Sequence, residues 1–170
     1  MSFVVETGAG LSTANSFLSE ADADTYHADH SGSTDWSGAA SADKEKALRL
    51  ATQYLCVRYD ARWKGVRAHE DQALPWPRDS VYDSDGYLYD SDALPRRLEG
   101  ATAELALRVI EGDTLLDDID EPGTIESETV KAGPITYVEK YMGKSQVKSY
   151  PLIRGLIRPL VQSVNTLERA

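Results

Sequence analysis

His27 and His30, three residues apart with Asp24 and Asp29 close by, form the most metal-like grouping in this chain. Two helical histidines need at least one more ligand to hold zinc, and the remaining histidine, His69, brings no matching pair. The pair reads as exposed polar side chains, and no metal is expected. Asp83-Ser84-Asp85-Gly86 opens like a calcium loop but lacks a third acidic ligand before the glycine and a glutamate six residues after it. With Tyr82, Tyr87 and Tyr89 around it, it reads as a turn with aromatic contacts on both sides. Gly8-Ala9-Gly10 lacks the further glycine of a dinucleotide fingerprint, and no serine stands in a Gly-x-Ser-x-Gly elbow. Nothing assembles a nucleophile, a base and an oxyanion site, so neither an enzyme nor a cofactor is expected. Tyr137, Lys140, Tyr141, Lys144, Lys148 and Tyr150 interleave aromatic and basic groups as a single-strand-binding surface would. The same residues would equally line a protein contact.

The elements that must position these groups are mainly helical. Residues 1–18 show little periodicity and read as an extended arm. Ser19-Glu20-Ala21-Asp22 has capping-box spacing and opens a helix through about His30. A turn follows, with Trp36 pinning it to the core. Ser41 is placed to cap a second helix through about Tyr59, whose inner face is Leu48, Ala51, Leu55 and Tyr59. Cys56 lies beside that face and reads as a packed, inert thiol.

Gln72-Ala73-Leu74-Pro75-Trp76-Pro77-Arg78 is neither strand nor helix, because each proline ring fixes its own φ and pushes the preceding residue out of the helical region. Trp76, Pro77 and Arg78 therefore form a stiff structural link. A third helix begins near Asp92 to Pro95 and ends at Gly112, with Leu94, Leu98, Ala101, Leu105 and Val109 on its inner face. Ala103 and Leu107 give it a second apolar side, which makes it either central in the bundle or shared with a neighbouring subunit.

Rising β-branched and aromatic content around Gly133-Pro134 predicts a hairpin within 124–142, with strands near 125–131 and 135–141. From Pro151 to about residue 165 an apolar, basic pattern predicts a terminal helix, with a break at Pro159. Leu152, Ile153, Leu156 and Ile157 lie on its apolar side, with Arg154 and Arg158 opposite. Such an end is more often a docking element than a piece of its own bundle, and the second possibility stays open.

The chain of 170 residues is expected to be a single domain, a helical bundle over 19–112 with a small hairpin and extended terminal arms. Its net charge of −10 opposes wrapping nucleic acid. A single cysteine excludes an intrachain disulfide, and no apolar run is long enough to span a membrane. The start Met1-Ser2-Phe3-Val4-Val5-Glu6 does not look like a signal peptide, so use in the cytoplasm is expected unless a larger particle carries the protein out. The charge is uneven. Residues 79–92 carry five aspartates and no base, and 111–128 are again purely acidic, with Asp117, Asp118, Asp120 and Glu121. Beyond Val130 the sign reverses. Acidic middle and basic tail read either as two halves of a contact between subunits or as solvated loops.

In order along the chain, Glu6-Thr7-Gly8-Ala9-Gly10-Leu11, Ala14-Asn15-Ser16-Phe17-Leu18-Ser19, Ala51-Thr52-Gln53-Tyr54-Leu55, the tryptophan strip, Ala101-Thr102-Ala103-Glu104-Leu105-Ala106, Gly133-Pro134 and the Pro151-to-Leu160 tail resemble the head–tail connector (adaptor) proteins of tailed bacteriophages. That group is also described as DnaT-like single-stranded DNA-binding proteins. The resemblance implies a ring, twelve-fold, seated under the portal protein in the virion neck and receiving a downstream neck or tail-completion protein. It would be assembled in the bacterial host cytoplasm, and DNA would pass through its channel without specific binding. Leu152, Arg154, Leu156, Ile157 and Arg158 are the expected portal contacts. Asp117, Asp118, Asp120, Glu121 and Leu107 are the expected contacts between subunits. A single-stranded DNA-binding accessory protein of phage replication is the alternative, with the Lys140-to-Tyr150 stretch as its surface.

Overall fold

The computed structural model describes residues 2–115, 128–132, 135–139 and 150–162. The chain, expected as a single domain, divides into two compact units, one of residues 1–115 with 151–170 and one of residues 116–150. The protein is mainly helical with a small antiparallel hairpin, as the sequence pattern implies.

The first unit is the bundle. Helix α1 spans Glu20–His30 and starts where expected: Ser19 Oγ accepts from the Asp22 backbone N–H at 3.1 Å and donates to the Asp22 carboxylate at 2.5 Å. Trp36 does pin the following segment, but from within a five-residue helix, α2, over Thr34–Gly38. Helix α3 spans Ser41–Tyr59. Its cap is Ala40, not Ser41; Ser41 is the first helical residue and its hydroxyl donates to the Glu20 carboxylate at 2.6 Å, joining α3 to α1. Helix α4 spans Arg96–Ile110 behind Pro95 and is buried nearly all round. Leu98, Ala101 and Leu105 face inward as expected, and so do Gly100, Thr102, Ala103, Ala106 and Leu107, because α1, α2, α3 and the terminal helix all pack against α4. The helix with two apolar sides is thus central.

Residues 2–18 fold back on themselves and onto the bundle. Glu6, almost fully buried, accepts backbone N–H bonds from Thr7, Gly8 and Gly10 on one oxygen and from Leu11 on the other, at 2.8–3.0 Å. Gly8 has φ +98°, and a Cβ there would lie 1.9 Å from the Asp92 carbonyl oxygen, so the loop closes only on glycine. Ala14, Phe17 and Leu18 complete the seal against the core.

Two short strands, β1 (Val66–Arg67) and β2 (Arg78–Asp79), pair antiparallel and close the tryptophan strip into a loop. Inside it Gln72 is buried, its amide donating to the Leu74 and Pro77 carbonyls at 2.6 and 3.1 Å. The second unit holds the hairpin, β3 (Glu128–Ala132) with β4 (Ile135–Glu139), in a register running from Glu128 opposite Glu139 to Ala132 opposite Ile135.

The terminal helix α5 covers Pro151–Ile157 and passes into a single 3₁₀ turn, Arg158–Leu160, at the expected proline break. Its apolar side does not await a partner. Ile153, Ile157, Leu160 and Val161 are buried against the chain's own bundle, so the packing alternative holds.

Candidate nucleic-acid interface

The end of α3 turns sharply. Tyr59 leads into the 3₁₀ turn Asp60–Arg62, then Trp63 and Lys64 run extended beside the chain's C-terminal segment. Trp63 pairs with Val161 as an antiparallel bridge; Lys64 N–H donates to the Leu160 carbonyl at 3.0 Å and Gln162 N–H to the Arg62 carbonyl at 2.7 Å. These bonds clasp two segments a hundred residues apart in sequence.

Behind the clasp, the rings of Tyr59, Trp63, Trp76 and Tyr89 follow one another at centroid distances of 5.7, 6.1 and 6.4 Å. Trp76 is fully buried, as a structural link should be. Arg78 fixes the strip from the other side, donating to the carbonyls of Lys64 (2.6 Å), Pro75 (3.1 Å) and Gly65 (2.8 Å). Burial and the neighbouring Arg67 lower the pKa of Arg78, but its charge is spent entirely on backbone carbonyls.

On the open side of the clasp lies a cleft of about 810 Å³. Arg58, Arg62 and Lys64 line one wall and Arg154 and Arg158 the other, with no acidic residue in the lining among the described residues. Among the described residues none of these five cations has a carboxylate within 4.0 Å, while the ion pairs that do form use Lys44, Arg49 and Arg108. Arg62 gives one N–H to the Gln162 carbonyl at 3.4 Å, and its buried Nε has no partner. Tyr59 lies at the base of the cleft, with the guanidinium groups of Arg58 and Arg62 at 5.9 and 5.8 Å from its ring centre. Burial pushes the Tyr59 phenol above its ordinary pKa, against the pull of Arg58, Arg62 and Arg154. Cations also suit the carbonyl-rich end of α3 on which this wall is built. The arrangement can hold an extended anion.

Several expected site residues fall elsewhere. Ile157 is buried, which leaves it no surface for a portal, whereas Leu152, Arg154 and Arg158 are exposed and Leu156 is half-buried. Leu107 is buried inside the bundle and so has no surface to offer a neighbouring subunit. Asp117, Asp118, Asp120, Glu121 and the 140–149 part of the aromatic–basic stretch lie outside the described residues. His27 is not an exposed polar residue: it is buried between Tyr26 and Trp36, with Nδ1 3.2 Å from Ser31 Oγ. His30 stacks on Tyr26 at 4.2 Å. Among the described residues no three His, Cys, Asp or Glu side chains converge as around a metal ion. The 82–89 turn is built on Asp83, which accepts from the Asp85 and Tyr87 N–H groups; only Tyr89 makes a core aromatic contact, and Tyr82 and Tyr87 are exposed. Burial raises the Cys56 thiol to about 12, with Asp60 adding to it, as befits an inert cysteine. No described helix is long and apolar enough to cross a membrane.

Trp63 and the cleft were not visible in the sequence. The cations come from two distant segments: Arg154 and Arg158 stood out as the basic side of the tail, while the local cluster of Arg58, Arg62 and Lys64 went unread. No curated protein and no solved structure matches the chain. A family model described as "Putative DnaT-like ssDNA binding protein" matches residues 1–170, and the chain belongs to that family.

Proposed function

We propose that this protein binds single-stranded DNA and holds the strand in the cleft between α3 and α5. The observation that carries the reading is the set of five cations that, among the described residues, have no carboxylate within 4.0 Å. The family description supports the same reading. The role needs no catalytic group. Fluorescence anisotropy with a labelled oligothymidylate tests it: binding at low salt is expected, with a Kd on the order of 1–100 μM at physiological salt. The double variant Arg154→Ala/Arg158→Ala should lose at least tenfold while its melting curve is unchanged. Absence of binding by the natural protein at low salt would overturn the reading.

The exposed side chains of α5 favour a second reading. Leu152 is 55% exposed, and Arg154 and Arg158 are exposed on the opposite side of the same short helical segment. In a head–tail connector these residues would meet the portal, with the protein forming a homo-oligomeric ring in the virion neck above a downstream neck protein. Electron microscopy of the protein mixed with its portal separates the readings: a stacked ring supports the connector, and dispersed monomers that still bind DNA count against it.

A further inference from the structure

We infer that the cleft engages the sugar–phosphate backbone alone and leaves the bases outside, so that binding is indifferent to base identity and to the presence of bases. This rests on the DNA-binding reading of the same cleft. Single-strand-binding surfaces that grip bases offer open aromatic faces for stacking. Among the described residues the one aromatic side chain lining this cleft is Tyr59, 7% exposed, and the Arg58 and Arg62 guanidinium groups already attend its ring. Among the described residues the large exposed aromatics, Tyr82 and Tyr87, stand on the turn that carries Asp83 and Asp85, where a phosphate chain is repelled. The walls themselves offer charge: guanidinium groups that match phosphate oxygens two at a time, and one ammonium. Among the described residues Gln162 is the single amide side chain in the lining.

Five phosphate contacts on a single strand predict a slope of about −3.5 in a plot of log K against log salt, or about 100-fold weaker binding between about 50 and 200 mM. Gly155 supplies a variant that spares every cation. A Cβ there meets no atom within 4 Å, so Gly155→Glu places a carboxylate in the cleft without disturbing the packing.

The experiment is competition anisotropy with oligothymidylate, oligoadenylate and an abasic deoxyribose-phosphate strand of the same length. Equal affinities within about twofold, the steep slope, and at least tenfold loss for all three strands in Gly155→Glu are the expected results. An abasic strand that binds tenfold or more weaker than oligothymidylate overturns backbone-only recognition and leaves DNA binding standing. A slope shallower than about −1.5 does the same. Failure of every strand to bind at 50 mM salt removes the DNA reading itself, and this inference with it.

Discussion

Lys44 and Arg158 are both cations held close to the bundle, and they are used in opposite ways. Lys44, on α3, is 7% exposed. Its Nζ lies 2.8 Å from the Asp24 carboxylate, 3.9 Å from Glu20 and 5.5 Å from the centre of the Trp36 ring. The same Asp24 oxygen accepts from Trp36 Nε1 at 2.7 Å. Lys44 and Trp36 thus meet on one Asp24 oxygen, and the corner ties α1, α2 and α3 together. Arg158, with Arg154, Arg58, Arg62 and Lys64, lines a cleft with no carboxylate in it among the described residues. A cation satisfied inside the chain holds the fold. One that is not keeps its electrostatic work for something outside.

The contrast can be broken from its closed side first. Trp76→Ala removes a fully buried indole from the girdle behind the clasp and should destabilise the protein by about 3–5 kcal/mol in denaturant unfolding. A change below about 1 kcal/mol would mean that the girdle does not carry the cleft. Lys44→Met should cost about 1–2 kcal/mol, at the low end for a charged hydrogen bond because Asp24 is half-exposed. That loss should leave DNA affinity untouched; the reverse pattern would dissolve the distinction between the two sets of cations.

A smaller effect is expected from His27, in the same closed corner. Burial holds its pKa below the ordinary value of 6.5, outweighing the pull of Glu104 and Asp24 toward the charged form. The unfolded chain therefore takes up a proton near pH 6.5 that the folded chain resists. This contribution to stability is complete above 6.5 and declines as pH falls from there toward the folded value. His27→Gln should flatten that limb of a melting-temperature profile between pH 7.5 and 5.5, and an unaltered profile would assign the pH dependence to the carboxylates. Smallest of all, Arg154→Ala/Arg158→Ala should shift stability by less than about 0.5 kcal/mol.

The closed regions were the more legible in sequence, because their signals are local. The Ser19 cap, the apolar spacing of Leu48, Ala51 and Leu55, and the proline-flanked Trp76 each declare themselves within a few residues. Helix α2 was hidden by its length, since five residues show no period. Ser41 misled because a serine before an apolar run looks the same whether it caps the helix or, as here, begins it and bonds sideways to Glu20. The tail shows the limit most clearly. Its amphipathic pattern specifies a helix with one apolar side, but what covers that side depends on where the rest of the chain lies. The cleft was invisible for the same reason, since residues 58–64 and 154–158 become neighbours only through the fold.

The clasp of Arg62, Trp63 and Lys64 with Leu160, Val161 and Gln162 has a kinetic meaning. Both walls of the cleft are anchored by main-chain bonds before any ligand arrives, so neither wall has to be ordered during capture. Association should then be a single step whose observed rate rises linearly with ligand concentration and falls with added salt, with no plateau set by a conformational change.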